Sequence, residues 1–470
     1  MPEPFKWSSE EGYALVRRII SVTAVPYVPH NHQLEGLCKS LDGVNLFAIT
    51  PTGSGKTLYY ILYILVIMAI LEDPSLCPSA NFPENPCLLV ICPTIPLQLE
   101  MEANMKKLGF KALAINMETR DEARRRHNQD LWLLARTEPN IILTGPEQLK
   151  SSEYEKALRD RTFQDRICGT GFDEVHLLNT WGQSFRKDFL QVGFAKARMS
   201  GRHNPWILTS ATVRHGAPFD SICRLLGLDQ TDFHLIRRSS ARPDVQILFR
   251  DLVSPISGDS FPEPDWIITG DRPTIIFAKT ISLGSRIYSY LLRISKSSNP
   301  NRICMYNSLN FESHNAATRE LLKGAPGTDD YCQIVIGTDS LSIGVGMPAR
   351  LDAVMIGDIE DADDFVQKLG RVGRKKDGAQ GARGIIYTSA AARKLAQKVV
   401  DDASAGIFKA GEKPPDLSMP RMILAPCKVA AQNEIYNNPA FDSPCTCLPC
   451  TTNPPSGSLT PCNCSRCIPE

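Results

Sequence analysis

The feature that most constrains the fold is the stretch Thr50 to Thr57, which reads Thr-Pro-Thr-Gly-Ser-Gly-Lys-Thr. An apolar, strand-like run from Val44 to Ile49 precedes it, and an apolar, helix-like run from Leu58 to Leu71 follows it. Strand, glycine-rich loop and helix is the setting of a phosphate-binding loop. Glycines let backbone N–H groups turn inward around phosphate oxygens, and the helix N-terminus adds positive potential. A plain glycine turn between strand and helix is the alternative. It would not explain why Lys56 and Thr57 stand at the positions that a phosphate-binding loop requires.

The side chains of this loop indicate which parts of a nucleotide are bound. Lys56 can reach the β- and γ-phosphates, and the Thr57 hydroxyl can ligate Mg²⁺. Upstream, the planar amide of Gln33 can pair with N6 and N7 of adenine, although surface glutamines are common. The sequence therefore predicts ATP and Mg²⁺ as ligands. The remaining loop residues expected to surround the phosphates are Thr52, Gly53, Ser54 and Gly55.

Strand-like and helix-like runs alternate in two long segments of the chain, residues 1–245 and 266–405. Polar residues follow the strand-like runs, so each segment predicts an α/β domain with a doubly wound parallel sheet and its functional residues on one edge. Residues 246–265 are punctuated by Pro and Gly and predict a linker. Residues 406–470 form a Pro- and Cys-rich tail. The length of 470 residues is enough for two to three domains.

Charge and composition narrow the function classes. The formal net charge is +1, so a nucleic-acid partner would require positive groups concentrated locally. As a helix, the 14 residues of the longest apolar run reach about 21 Å, short of the roughly 30 Å of a bilayer core, and predict no membrane span. Nine of the fifteen cysteines are scattered singly in apolar surroundings, which indicates reduced thiols in the cytosol or nucleus.

An acidic pair follows the apolar run Ile167 to Phe172. Asp173 is expected to hold Mg²⁺, usually through water, and Glu174 to orient and deprotonate an attacking water. A solvated acidic turn is the simpler reading of such a pair, but the upstream phosphate loop favours catalysis. Two residues further on, His176 can relay to the hydroxyls of Ser210 and Thr212 if the two strands are neighbours.

These motifs together resemble those of superfamily 2 helicases, and residues 173–189 narrow the resemblance to the RecQ family's aromatic-rich loop, D-E-A-H-C-x-x-Q-W-G-H-D-F-R-x-D-Y. Trp181, Phe185 and Arg186 fall in register with that loop. In the family the loop senses single-stranded DNA and couples it to ATP hydrolysis. The residue types suit this role, because exposed aromatic rings stack on bases and an arginine holds phosphate. An aromatic pair packed into the core is the alternative.

The second segment carries further matches. Residues 367–374 resemble the family's Q-E-x-G-R-A-G-R, which implies that Gln367 is part of the catalytic machinery. The same match implies that Arg371 and Arg374 act as arginine fingers toward the γ-phosphate from across an interdomain cleft. Residues 337–348 resemble motif V, which implies a DNA-phosphate contact for Thr338 and a position near the nucleotide for Asp339.

The resemblance spans about residues 20–400 and implies two RecA-like domains. It also implies ATP-driven 3′→5′ movement on single-stranded and forked DNA, and a nuclear role in recombination or repair. Thr94 stands where the family's phosphate-contacting motif Ia falls, and Gln33 where its motif 0 falls. About 65 residues follow the second segment, which we expect to be too few for the family's winged helix.

The tail carries a doubled C-x-C-x-x-C pattern. Thiolates at this spacing suit tetrahedral Zn²⁺, but six of them do not say which four bind or whether two ions are held. A disordered tail is the alternative, because Pro and Ser dominate between the cysteines. The candidate ligands are Cys445, Cys447, Cys450, Cys462, Cys464 and Cys467.

Three other functions remain compatible with the sequence. Without a winged helix the chain can be a single-strand translocase that unwinds weakly, or an RNA helicase. It can also be a nucleotide-gated DNA-binding scaffold that no longer turns over. The intact Lys56 and Glu174 argue against the scaffold, and the Trp181 loop favours DNA over RNA.

Overall fold

A computed structural model describes residues 5–23, 25, 27–179, 191–199, 204–341, 350–373, 381–407, 415–439, 442–452, 454, 462–465 and 467. The chain divides into two compact units. Unit 1 consists of Met1–Ser239 and Pro439–Pro455, and unit 2 consists of Ser240–Asn438 and Ser456–Glu470. The tail is therefore shared between the two units.

Unit 1 contains a seven-stranded parallel sheet in the order β3-β4-β2-β5-β6-β1-β7. Its strands are β1 (Asn45–Ile49), β2 (Cys87–Ile91), β3 (Ala112–Ile115), β4 (Ile141–Thr144), β5 (Ile167–Phe172), β6 (Trp206–Ser210) and β7 (Phe233–Arg237). Its α-helices are Glu10–Val22, Asn31–Leu41, Thr57–Glu72, Ile95–Lys107, Met117–His127, Leu131–Leu134, Ser152–Arg159, Arg161–Arg166, Gln191–Met199, Ala217–Leu225 and Leu448–Thr452. Short 3₁₀ helices cover Pro74–Leu76 and Pro146–Lys150.

The helix after the phosphate loop, Thr57–Glu72, lies directly on this sheet. It is apolar on all sides and mostly buried, as expected for a helix in the middle of a doubly wound domain. Two glycines of β5 make room for its tyrosines. A Cβ at Gly171 would lie 2.7 Å from the Tyr60 ring, and one at Gly169 would lie 2.8 Å from the Tyr63 ring. Glycine in this strand thus sets how closely the helix approaches the sheet.

Unit 2 contains a six-stranded parallel sheet in the order β10-β11-β9-β12-β13-β8. Its strands are β8 (Val245–Leu252), β9 (Thr274–Ala278), β10 (Ile303–Tyr306), β11 (Ile334–Gly337), β12 (Asp352–Ile356) and β13 (Ala382–Ser389). Its α-helices are Trp266–Thr269, Ile281–Ile294, Glu312–Lys323, Ala362–Leu369, Ala390–Ser404, Ser418–Leu424 and Lys428–Tyr436, with a 3₁₀ helix over Asp339–Leu341.

The predicted fold class, two parallel-sheet α/β domains, is confirmed. The linker predicted over 246–265 is wrong in its first part, because Val245–Leu252 is the edge strand β8. Its residues alternate between buried and partly exposed, with Ile247 and Phe249 facing the core. The prolines that follow the strand obscured this two-residue period. The other predicted domain limits stay predictions.

Within the described residues, no helix combines the length and the hydropathy needed to cross a bilayer.

Candidate active site

The phosphate loop connects β1 to the buried helix Thr57–Glu72. Gly53 and Gly55 have φ angles of 81° and 79°, which L-side chains rarely adopt. The Ser54 hydroxyl donates to the Thr50 hydroxyl at 2.9 Å, which closes the loop on itself. Thr52 lies in the turn between these residues and is partly exposed. Lys56 is the last residue before the helix and Thr57 the first residue within it.

Sheet order brings three strand ends to this loop. β6 lies between β1 and β5, and all three strands are parallel. The residues that follow β1 and β5, together with the last residue of β6, therefore share one edge of the sheet. This places Asp173 and Ser210 beside the phosphate loop.

Glu174 connects the loop lysine to the histidine that was singled out in the sequence. Lys56 Nζ lies 4.0 Å from Glu174 Oε1, and His176 Nδ1 lies 3.3 Å from Glu174 Oε2. The lysine, glutamate and histidine side chains are 11%, 15% and 6% exposed, so the protein has mostly removed all three from water. Glu174 also has a φ of 53°, a left-handed conformation that costs a non-glycine residue about 1–3 kcal/mol. Strain of this kind clusters at functional sites.

Asp173 is buried and held by two donors. Its Oδ1 accepts from the Thr209 hydroxyl at 2.8 Å and from the backbone N–H of Glu174 at 3.0 Å. Tyr60 O–H lies 2.6 Å from the same Thr209 oxygen, so a hydroxyl chain runs from the loop helix to the carboxylate. Burial, reinforced by the charge of Glu174 and opposed by Lys56, raises the pKa of Asp173 to about 6. A divalent cation at this carboxylate would favour its ionised form.

The predicted relay residues are adjacent. His176 Nδ1 lies 3.0 Å from Ser210 Oγ, and that hydroxyl oxygen accepts from the backbone N–H of Thr212 at 3.2 Å. All three residues are buried. Neighbouring strands β5 and β6 supply the geometry that the relay requires. A change at Glu174 can therefore reach the segment after β6 through one hydrogen-bonded path.

Gln33 is placed against the loop itself. Its Nε2 donates to the carbonyl oxygens of Ser54 and Gly55 at 2.9 and 3.1 Å, and its Oε1 accepts from the backbone N–H of His30 at 2.8 Å. The side chain is buried. The amide thus supports the phosphate loop directly, and adenine reading by Gln33 stays a prediction.

This arrangement fits ATP and Mg²⁺. An ammonium group and a helix N-terminus face the space where phosphates would lie, and the buried Asp173 carboxylate and the Thr57 hydroxyl are oxygen donors of the kind that Mg²⁺ prefers. Glu174 supplies a second carboxylate that can accept a proton.

The predicted residues of unit 2 gather at the ends of β11 and of the helix Ala362–Leu369. Gln367 is buried on that helix, and Arg371 follows it and accepts a backbone hydrogen bond from Arg350. Thr338 follows β11, and the Asp339 carboxylate pairs with the buried Lys368 at 3.0 Å. Arg374 lies outside the described residues.

The Lys368 ammonium joins two predicted motifs of unit 2. It contacts Asp339 and Asp364 and lies 5.7 Å from the centre of the Phe277 ring. Burial lowers the pKa of Lys368, but the two carboxylates outweigh burial and raise it. The motif V segment and the arginine-bearing segment are thus linked within unit 2 by one charged side chain.

The predicted DNA-binding residues are described only in part. Thr94 caps the N-terminus of the helix Ile95–Lys107, and its Oγ1 has no hydrogen-bond partner among the described residues. Trp181, Phe185 and Arg186 lie outside them.

The cysteines of the tail form two four-residue clusters, one in each unit. The first joins His30 to Cys445, Cys447 and Cys450, and the second joins Cys427 to Cys462, Cys464 and Cys467. Within each cluster the ligand atoms lie within 4.8 Å of one another. The six predicted cysteines are therefore divided three and three.

Sequence reasoning missed one candidate ligand in each cluster. Cys427 lies within the tail, but it stands apart from the doubled C-x-C-x-x-C pattern and counts there among the scattered cysteines. His30 carried no signal, because it lies 415 residues from Cys445 along the chain. The supporting residues Thr209 and Tyr60 were also missed, since a buried hydroxyl beside a carboxylate has no motif of its own.

One known family matches the part of unit 1 that carries the predicted motifs. A family profile described as DEAD/DEAH box helicase matches residues 30–218. The match includes the phosphate loop, the segment Asp173–His176 and strand β6.

Curated relatives match over part of the chain. ATP-dependent DNA helicase Q1 of Mus musculus is 27% identical over 181 residues, 38% of this chain and 25% of that protein. ATP-dependent helicase SGS1 of Saccharomyces cerevisiae is 27% identical over 222 residues, 47% of this chain and 14% of that protein. RecQ of Haemophilus influenzae is 24% identical over 228 residues, 48% of this chain and 32% of that protein. The chain thus matches less than a third of each relative's length.

Solved structures share the fold. DEAD-box helicase Mss116, bound to ssRNA and UDP-BeF, superposes with a TM-score of 0.61 at 16% identity, covering 90% of this chain and 83% of that one. The DUF1998 helicase MrfA, bound to DNA and AMPPNP, superposes with a TM-score of 0.58 at 18% identity, covering 88% of this chain and 54% of that one. Residues 30–218 match the DEAD/DEAH box helicase profile, and the chain combines a fold shared with two-domain RecA-like helicases with sequence similarity to RecQ-family helicases.

Proposed function

We propose that this chain is an ATP-dependent DNA helicase that couples ATP hydrolysis to 3′→5′ translocation on single-stranded DNA and to unwinding of forked duplexes. The observation that carries the proposal is the continuous path of contacts from Lys56 through Glu174 and His176 to Ser210. That path connects a phosphate-binding loop to the neighbouring strand end. Similarity to proteins named as ATP-dependent DNA helicases supports DNA as the track.

In the proposed hydrolysis step, water attacks the γ-phosphorus of ATP and a new P–O bond forms. The bond between that phosphorus and the β–γ bridging oxygen breaks, and ADP leaves with the electron pair. The Glu174 carboxylate accepts a proton from the water, and Lys56 stabilises charge on the phosphate oxygens. Mg²⁺, held through Asp173 and Thr57, would neutralise phosphate charge. Arg371 and Arg374 are proposed arginine fingers on their motif spacing alone.

Coupling to DNA is proposed to run from Glu174 through His176 to the end of strand β6. When Glu174 gains a proton or loses its ion pair with Lys56, its interaction with His176 changes, and His176 contacts Ser210. Thr212 is next along this path, through its backbone N–H. We assign the DNA contacts to Thr94, Thr338 and the aromatic loop with Trp181, Phe185 and Arg186, which provide phosphate contacts and base stacking without sequence readout.

The proposal extends to the cellular setting and to a structural metal. A nuclear role in recombination or repair is proposed from the resemblance of residues 173–189 and 367–374 to RecQ-family motifs. Zn²⁺ is the proposed ion of the Cys427 cluster, where Sγ–Sγ distances of 3.5–3.8 Å match the edges of a tetrahedral thiolate site, about 3.8 Å for Zn–S bonds near 2.3 Å. There it would secure Ser465, which exchanges hydrogen bonds with the edge strand β8.

Two measurements on the purified chain test this function. The first compares ATPase rates with single-stranded DNA, with RNA and without nucleic acid; stimulation by RNA alone would replace DNA with RNA as the track. The second follows unwinding of forked duplexes that carry either a 3′ or a 5′ single-stranded tail. Unwinding that requires the 3′ tail is expected, whereas DNA-stimulated ATPase without strand separation would reduce the function to translocation.

A further inference from the structure

We propose that His30, Cys445, Cys447 and Cys450 bind one Zn²⁺ ion, and that this ion holds the phosphate loop in shape through Gln33. The metal assignment depends only on the residues of unit 1. The consequence for ATP binding rests on the proposed ATPase function. The binding of the metal and its effect on ATP binding can therefore be tested separately.

The ligand atoms already approach a tetrahedron. His30 Nδ1 lies 3.3 Å from Cys447 Sγ, 3.3 Å from Cys450 Sγ and 3.7 Å from Cys445 Sγ. The Cys445 and Cys447 sulfurs are 3.2 Å apart. A tetrahedral Zn²⁺ site with Zn–S bonds near 2.3 Å and Zn–N bonds near 2.1 Å has edges of about 3.5–3.8 Å, so the four atoms enclose room for one ion after a small expansion.

The donor set selects the metal. Three thiolates and one imidazole form a closed structural zinc set, and a tetrahedral S/N environment disfavours Mg²⁺ and Ca²⁺, which take oxygen ligands. The backbone N–H of Asn31 donates to Cys445 Sγ at 3.2 Å. A hydrogen bond of this kind stabilises a metal-bound thiolate from outside the ligand shell. With all four positions filled by protein, this ion has no open site for chemistry.

Polar contacts hold the rest of the described part of this tail segment to unit 1. Asn31 Nδ2 donates to Thr446 Oγ1 at 3.0 Å, and Arg238 donates to the Ser443 carbonyl at 2.9 Å. The backbone N–H of Ser239 donates to Asp442 at 3.1 Å. Among the described residues of this segment, the large apolar side chain of Leu448 is 70% exposed and contributes little burial. Metal ligation is therefore the main interaction available to fix the segment.

His30 connects the proposed metal site directly to Gln33, the residue that supports the phosphate loop. His30 caps the N-terminus of the helix Asn31–Leu41, and its backbone N–H donates to Gln33 Oε1 at 2.8 Å. The same Gln33 amide donates to the carbonyl oxygens of Ser54 and Gly55. A Cβ at Gly55 would lie only 2.9 Å from Gln33 Nε2, which shows how closely amide and loop are packed.

Removal of the ion would loosen this connection. Three thiol groups and an imidazole would lose their common partner, and the helix start at His30 would lose its fixed position. Gln33 would then hold Ser54 and Gly55 less well, so the loop would have to be ordered when ATP binds. Loss of a residue that supports a binding group typically costs 10–100-fold in affinity at metal sites, and we expect about a tenfold rise in the KM for ATP here. The effect on kcat should be smaller, because Lys56 and Glu174 are not ligands.

The metal assignment is tested first by zinc content of the full chain, measured by inductively coupled plasma mass spectrometry. Two Zn²⁺ per chain are expected, and X-ray absorption should report a total of seven sulfur donors and one nitrogen donor shared between the two ions. His30→Ala and Cys447→Ser should each lose one zinc. His127→Ala, which removes an exposed histidine elsewhere in unit 1, should lose none. Retention of two zinc ions in His30→Ala, or an all-sulfur zinc environment in the wild type, would overturn the ligand set.

The functional consequence is tested by ATPase kinetics on the same variants. His30→Ala and Gln33→Ala should both raise the KM for ATP about tenfold, while His127→Ala keeps the wild-type value. A zinc-depleted His30→Ala protein with wild-type KM would overturn the link to the loop. If Cys447→Ser fails to fold, His30→Ala and the absorption spectrum still decide the metal set. A wild type with two zinc ions but no ATPase would refute the proposed function and leave the metal assignment intact.

Discussion

Lys56 Nζ lies 4.0 Å from Glu174 Oε1, so the cation of the phosphate loop and the proposed catalytic base form an ion pair across the ends of two strands. A γ-phosphate that enters between them would pair with the lysine and leave the carboxylate available to contact the attacking water. Each partner thus has a separate role once ATP is bound, and the two can be removed one at a time.

Lys56→Ala is expected to abolish ATP hydrolysis. The alanine removes the cation that faces the β- and γ-phosphates and leaves Glu174 without its ion-pair partner. Loss of one such electrostatic group costs about 10²–10³-fold in kcat, and steady-state phosphate release measures it. Lys107→Ala, at an exposed position at the end of another helix of unit 1, is the matched control. Unchanged turnover in Lys56→Ala would refute the assigned site.

Glu174→Gln is expected to separate binding from hydrolysis. The amide keeps the shape of the side chain but cannot accept the proton of the attacking water, so kcat should fall about 10²–10⁴-fold. Affinity for a non-hydrolysable ATP analogue, measured by calorimetry, should stay within a few fold of wild type. If affinity and kcat fell together, Glu174 would be holding the loop through Lys56 rather than activating water.

The Lys56–Glu174 pair also shows what sequence can predict. Both residues are close to their strands in sequence, and parallel strands put their polar ends on one edge, so their proximity follows from strand order. The relay from His176 to Ser210 was predictable for the same reason. Its condition, that β5 and β6 be neighbours, is met.

What could not be predicted depends on contacts between segments far apart in the chain. His30 joins cysteines 415 or more residues away, and no local pattern marks that pairing. Strand β8 was missed because it lies at a sheet edge and is followed by prolines. Its partner β13 comes from the other end of unit 2, so the register that defines it is visible only in three dimensions.

Trp181→Ala is expected to uncouple hydrolysis from DNA. Stacking of a base on an aromatic ring contributes about 1–3 kcal/mol, so the ratio of ATPase rates with and without single-stranded DNA should fall about tenfold. Phe311→Ala, which removes an aromatic side chain that is 86% exposed in unit 2, is the control. Stimulation that persists in Trp181→Ala would give the loop a structural role instead.

Thr209→Val is expected to weaken use of Mg²⁺ and to cost stability. Asp173 would lose one of its two donors, and the Tyr60 hydroxyl would lose its partner in a buried site. An unpaired buried polar group costs about 1–3 kcal/mol, and the Mg²⁺ concentration for half-maximal ATPase should rise severalfold. The double variant Tyr60→Phe/Thr209→Val removes the orphaned hydroxyl and should recover part of the stability. No recovery would mean that Tyr60 does not depend on Thr209.

The last prediction concerns the stability of unit 2, which depends on a fully buried carboxylate at the start of β12. Asp352 accepts two hydrogen bonds from Arg272, at 2.8 Å each, and two from Arg383, at 2.9 and 2.7 Å. Burial alone would raise the pKa of Asp352, but Arg383 and Arg272 outweigh it and hold the pKa below its usual value. Asp352→Asn leaves two guanidinium groups beside a neutral amide and should lower the free energy of unfolding by about 3–5 kcal/mol. Asp271→Asn, at a neighbouring exposed acid, should change it by less than about 0.5 kcal/mol.

The sign of the pH dependence follows from the lowered pKa of Asp352. The folded state keeps this carboxylate ionised at a lower pH than the unfolded state does, so its stabilising contribution is complete above about pH 3.9, the usual aspartate value. The contribution is lost as pH falls through the lower, folded-state pKa. The stability gap between wild type and Asp352→Asn, followed by urea unfolding of the full chain, should therefore be constant near neutrality and narrow only below about pH 4. A gap that closed between pH 7 and pH 5 would contradict the lowered pKa of Asp352, because titrations common to both proteins cancel in the difference.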